Sequence, residues 1–135
     1  MIISIIIGMA CAIICVYFAQ RTFPNKDHAF WRVGLVIAAI IYVAFALIGR
    51  NNAYLPIEIG GVFFYGLFAF LSKKHSLYWL AIGWLFHIGW DMFLHAGPNT
   101  PFVPLGYPEA CIGFDIIIAA YICWLIPKRK KLVRQ

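Results

Sequence analysis

The chain has 135 residues, of which 64% are hydrophobic and only 12% charged, with a formal net charge of +6. Soluble domains carry about a quarter of their residues as charges, so this composition excludes an ordinary water-soluble domain and implies a polytopic membrane protein. The positive excess calls for no nucleic-acid partner, because basic runs beside membrane spans set topology and meet anionic lipid headgroups.

Five apolar runs follow in chain order, at about 2–18, 30–48, 54–71, 77–94 and 108–126. Each has roughly the 17–25 residues with which a helix crosses hydrocarbon, the second only when Phe30 and Trp31 are counted. The first run lacks both a basic leader and a small-residue cleavage signature, so it reads as a retained span and not a signal peptide. The breaks between runs are short and rich in Pro, Asn, Lys and Arg, as loops should be. The fold predicted is all-α, a bundle of five transmembrane helices in a single domain over 1–135.

Orientation follows from the cations. Arg21, Lys26 and Arg32 lie between the first two runs, Lys73 and Lys74 between the third and fourth. Lys128, Arg129, Lys130, Lys131 and Arg134 form the tail, which leaves only Arg50 on the opposite side. The positive-inside rule then places the N-terminus outside and the C-terminus inside. Cys11, Cys15, Cys111 and Cys123 have no metal or redox spacing and read as small packing residues.

Four of the five acidic residues, Glu58, Asp91, Glu109 and Asp115, fall in or at the edge of apolar runs. An ionisable side chain near the middle of a membrane helix costs at least about 2.5–3.5 kcal/mol, so such groups face the bundle interior and mark functional sites. At about 1.5 Å per residue, Glu58 lies roughly 6 Å below the outer end of its run, Asp91 about 5 Å and Asp115 about 10 Å. Three helices thus place carboxylates at one depth. Within the fourth run, His87, Asp91 and His95 recur at four-residue spacing. Each step drifts only about 40° around a helix, so the three form a stripe facing that layer.

Mixed imidazole and carboxylate donors suit zinc, iron or manganese. His87, Asp91, His95, Glu58 and Asp115 are the candidate ligands, and Glu109 and Glu58 the candidate general bases. The bland alternative is a set of buried polar pairs that staple helices together, each worth about 1 kcal/mol or less. For Glu109 it is an ordinary charge among headgroups. The segment from Ala96 to Tyr107 mixes Pro98, Pro101 and Pro104 with Phe102, Val103 and Leu105, and is expected to fold over the outer mouth as a lid. Gly60, Gly61, Gly83 and Gly89 are small enough for close helix approach. Trp31, Trp79 and Trp124 suit an interfacial belt, while the deeper Trp84 and Trp90 suit a cavity wall.

Glu58-x-Gly60-Gly61, His87-x3-Asp91-x3-His95-x-Gly97, "TPFVP", "YP" and "CIGFD" at 111–115 resemble a family of small bacterial membrane proteins of unknown function. That resemblance spans the chain and implies five spans in a bacterial inner membrane, with no activity attached. A looser likeness is to intramembrane metal hydrolases of the alkaline ceramidase type. Those have seven spans and three histidines with a serine, whereas only two histidines lie in the apolar runs here. The functional expectation is a metal-dependent hydrolase of a lipidic substrate, among membrane lipids as partners. The alternatives are a proton- or cation-coupled carrier, which lacks a polar path below His87, and a non-catalytic binder of a lipid or hydrophobic cofactor.

Overall fold

The computed structural model describes residues 1–23, 27–95 and 102–132, with the side chains of 27 and 128–132 left aside. Its elements are α1 (Ile2–Thr22), α2 (Asp27–Ile48), α3 (Leu55–Lys74), α4 (Tyr78–Trp90), a π turn (Asp91–His95) and α5 (Tyr107–Leu132). Among the described residues there is no strand.

Each helix is built on an apolar run; α2 ends with its run at Ile48, whereas α1, α3 and α5 continue into the polar residues that follow. α2 ends in a Schellman turn. The Arg50 amide donates to the Leu47 carbonyl at 3.1 Å and the Asn51 amide to the Ala46 carbonyl at 2.8 Å. Arg50 takes the left-handed conformation this turn demands, with φ of 51°, a conformation ordinarily left to glycine. Pro56 then sits in the first turn of α3, where its missing amide hydrogen is no loss.

Four helices, α1, α2, α3 and α5, are long and apolar enough to cross a membrane. The fourth apolar run differs from the other four in being interrupted. Thirteen α-helical residues lead straight into five that wind as a π turn, so α4 alone is too short to span.

The helices pack in the order α1, α5, α4, α3, α2, with α2 also touching α4. α1 meets α5 at backbone distance. A Cβ on Gly8 would overlap the Ala110 carbonyl, and one on Gly113 the Ile5 carbonyl, so only glycine permits this crossing. On α2, Trp31, Leu35, Ala39, Tyr42 and Ala46 recur at helical spacing and are all buried. Trp31 is therefore a core residue and no member of an interfacial belt, with its ring edge-on to Trp84 and Tyr121. At the opposite end from the acidic layer, Arg32 ties α2 to α3, its Nε donating to Ser72 Oγ at 2.7 Å and Nη2 to the Ser72 carbonyl at 3.1 Å.

The distribution of polarity is inverted relative to a soluble domain. Ile3, Ile14, Phe63, Phe70 and Phe93 lie on the outside, while Glu58, His87, Asp91, His95 and Asp115 are buried.

Candidate metal centre

His87 lies in the last turn of α4, and Asp91 follows one turn later at the start of the π turn. Both face α5, from which Asp115 projects. His87 Nδ1 lies 2.8 Å from Asp115 Oδ2 and 3.4 Å from Asp91 Oδ2. The first contact is a hydrogen bond; the second is a charge contact, since Asp91 Oδ2 has no hydrogen-bond partner. The other oxygen, Asp91 Oδ1, accepts a 2.6 Å hydrogen bond from the Tyr42 hydroxyl on α2. All three ionisable residues are essentially sealed, at 0%, 0% and 1% exposure for His87, Asp91 and Asp115.

The donor set fits a divalent cation. One ligand atom from each of His87, Asp91 and Asp115 lies within 4.8 Å of the other two. Metal bonds of about 2.0–2.2 Å bring neighbouring ligand atoms to roughly 3.4 Å, a shift that small side-chain rotations supply. Charge balance points the same way. Two carboxylates share one imidazole, so even a protonated His87 leaves a buried negative charge, which is expensive in a low-dielectric interior. A divalent ion beside neutral His87 would cancel both carboxylates. Tyr42 occupies one Asp91 oxygen and leaves the other, which has no hydrogen-bond partner, directed at the cluster, as an outer-shell donor to a ligating carboxylate would.

His95 and Glu58 do not join this group. The stretch from Asp91 to His95 winds as a π turn and does not continue the regular α4, and His95 lies outside the three-residue cluster. His95 faces α3 instead, with Nε2 3.3 Å from Glu58 Oε1. Glu58 Oε2 accepts from the Trp90 indole at 3.3 Å. The five ligands proposed from sequence are thus all buried but form two groups: a three-residue cluster and a His95–Glu58 pair. Glu109, half-buried in the first turn of α5, belongs to neither.

Tyr42 joins the two groups. Its ring stacks on His95 with centroids 4.0 Å apart and planes 9° from parallel, while its hydroxyl serves Asp91. Sequence reasoning passed over Tyr42. The available signal was a hydroxyl deep in an apolar run, where it needs a buried acceptor.

Trp84, almost wholly buried, has its ring 6.4 Å from His87 and walls the cluster on the side away from the acidic layer. Of the expected lid, residues 96–101 lie outside the described residues. Its remaining part packs against the end of the bundle where His95 and Tyr54 lie. Phe102 sits edge-on to His95, 6.2 Å between centroids, and 5.2 Å from Tyr54; Val103 is buried, and Leu105 is fully exposed.

The chain belongs to a family of unknown function, DUF6010, whose model matches residues 1–128. No curated protein and no solved structure matches it.

Proposed function

We propose that this protein spans a bacterial inner membrane with its N-terminus outside and C-terminus inside, and that it holds a divalent metal, zinc, iron or manganese, between His87, Asp91 and Asp115. The reading rests on one observation: three buried ligand atoms mutually within 4.8 Å, with two carboxylates to one imidazole. Membrane insertion is supported by four helices of sufficient length and hydropathy and by the inverted polarity of the bundle. The fourth run crosses as α4 and its π turn together.

The activity proposed is hydrolysis of a lipidic substrate from the outer face. Three protein ligands leave a coordination position open, and a metal bound there supplies Lewis-acid activation of water and of a carbonyl. Glu58, buried and paired with His95, is the better placed of the two candidate proton acceptors. Tyr42 fixes Asp91, and Trp84 keeps bulk water from the cluster.

A second reading has its own support. Asp115, His87, Asp91 and Tyr42 form an unbroken file of polar contacts, which suits a proton relay in a carrier.

Elemental analysis of the purified full chain discriminates. Stoichiometric metal in the wild type that disappears in Asp91→Asn and Asp115→Asn, both still folded, supports the metal centre. A metal-free protein that conducts protons in vesicles, with flux lost in the same variants, overturns it in favour of the relay. Reporter fusions after Lys74 and Gln135 should read cytoplasmic and one after Arg50 external; the opposite pattern would invert the proposed access.

A further inference from the structure

A groove of about 620 Å³ runs between α3 and α4, on the opposite side of Tyr65 and Trp90 from the buried polar groups. Its walls include Phe64, Leu85, Phe86 and Phe93, and Gly89 also lines it. We propose that this groove seats one acyl chain of a lipid drawn from the leaflet in which the polar cluster lies. The inference rests on the membrane reading above and supplies the substrate class for the same site.

The chemistry of the walls selects hydrocarbon. Only Tyr65 and Trp90 among the lining residues carry a polar side-chain atom, and both are engaged elsewhere. The Tyr65 hydroxyl donates to the Phe86 carbonyl at 3.4 Å, and the Trp90 indole donates to Glu58. Nothing in the groove is left to hydrogen-bond a polar ligand.

Length agrees. The wall supplied by α4 and its π turn runs from Ile82 to Leu94, about 18 Å at 1.5 Å per residue. One leaflet is half of a roughly 30 Å hydrocarbon core, or about 15 Å.

Continuity with the polar groups gives the occupant its orientation. The Tyr65 ring stands edge-on to His87, 5.0 Å between centroids, and the Trp90 indole bonds Glu58, so two residues wall both the groove and the ionisable groups. A chain lying along the groove would carry its ester or amide end to the level of Trp90, Phe93 and the π turn, beside Glu58 and His95.

The groove also has a sequence cause. A Cβ on Gly89 would meet nothing within 4 Å, so the absence of a side chain there leaves space that a larger residue could fill without displacing the bundle. Gly60, also with nothing within 4 Å, lies outside the groove and provides the matched control.

The test is photolabelling of the full chain in phosphatidylcholine vesicles doped with a phospholipid bearing a diazirine on one acyl chain, followed by peptide mapping. Label should concentrate on Phe64, Leu85, Phe86 and Phe93, fall several-fold in Gly89→Leu and be unchanged in Gly60→Leu. Leu85→Trp, filling the groove from one helical turn away on α4, should repeat the loss should Gly89→Leu fold poorly. Label spread evenly over outward residues such as Ile13, Phe63 and Phe70, and indifferent to groove-filling variants, would mean annular lipid only and overturns the proposal. Metal content of the same samples separates the two claims. Groove labelling in a metal-free protein removes the hydrolase and keeps the acyl site, while even labelling in a metal-loaded one does the reverse.

Discussion

Tyr42 bridges two helical neighbours of opposite kind: its hydroxyl donates to Asp91 at 2.6 Å and its ring lies flat against His95 at 4.0 Å. Tyr42→Phe separates these roles, because phenylalanine keeps the stack and deletes the hydrogen bond. Removing an outer-shell donor to a ligating carboxylate lowers metal affinity about ten- to hundredfold. A buried hydrogen bond to a charged group is worth about 1.5–3 kcal/mol. Metal titration and thermal melting of Tyr42→Phe should therefore both decline. An affinity equal to wild type would show that Asp91 does not depend on Tyr42 for its position.

Asp115 and Glu109 sit on the same helix but in different surroundings, one sealed against His87 and the other half-buried in the first turn. If the proposed metal centre holds, Asp115→Asn should strip its metal, and Glu109→Gln should leave it in place. Elemental analysis of the two variants, normalised to folded protein, decides this. Equal loss in both would place Glu109 in the centre.

Gly113→Ala is expected to destabilise strongly for its size. The added Cβ overlaps the Ile5 carbonyl and forces α1 away from α5, an overpacking cost of about 1–3 kcal/mol. Gly60→Ala adds the same methyl to open space and should stabilise by about 0.5–1 kcal/mol through helix propensity. Melting temperatures in one detergent give the comparison, and shifts of the same sign would contradict the packing described for α1 and α5.

Arg50→Gly should raise stability by about 1 kcal/mol, because a left-handed non-glycine residue costs roughly 1–2 kcal/mol and the Schellman turn is kept. An unchanged or lower melting point would mean that the Arg50 side chain makes a compensating contact.

The five helices were legible because hydropathy over a span-length window is a strong signal, and Glu58, Asp91 and Asp115 stood out as charges where charges are expensive. Their burial with His87 and His95 was legible for the same reason. Their partition was not. α-Helical spacing puts His87, Asp91 and His95 on one stripe, and nothing in "HIGWDMFLH" announces the π turn or that His95 pairs with Glu58 across from α3. Tyr42 escaped notice because an aromatic in an apolar run reads as packing until its acceptor is seen. Trp31 misled in the opposite sense: near the end of a span it reads as interfacial, but its four-residue spacing with Leu35 puts it in the core.

The close crossing of α1 and α5 has a consequence for biogenesis. Of the five helices α1 is made before the others, yet it makes few contacts with α2 and rests almost wholly on α5, which is made after them. It therefore lacks its main partner while α2, α3 and α4 are made, and the bundle closes only once α5 is available. Among the five helices, α1 is accordingly the one that a separately expressed fragment should be able to supply in trans.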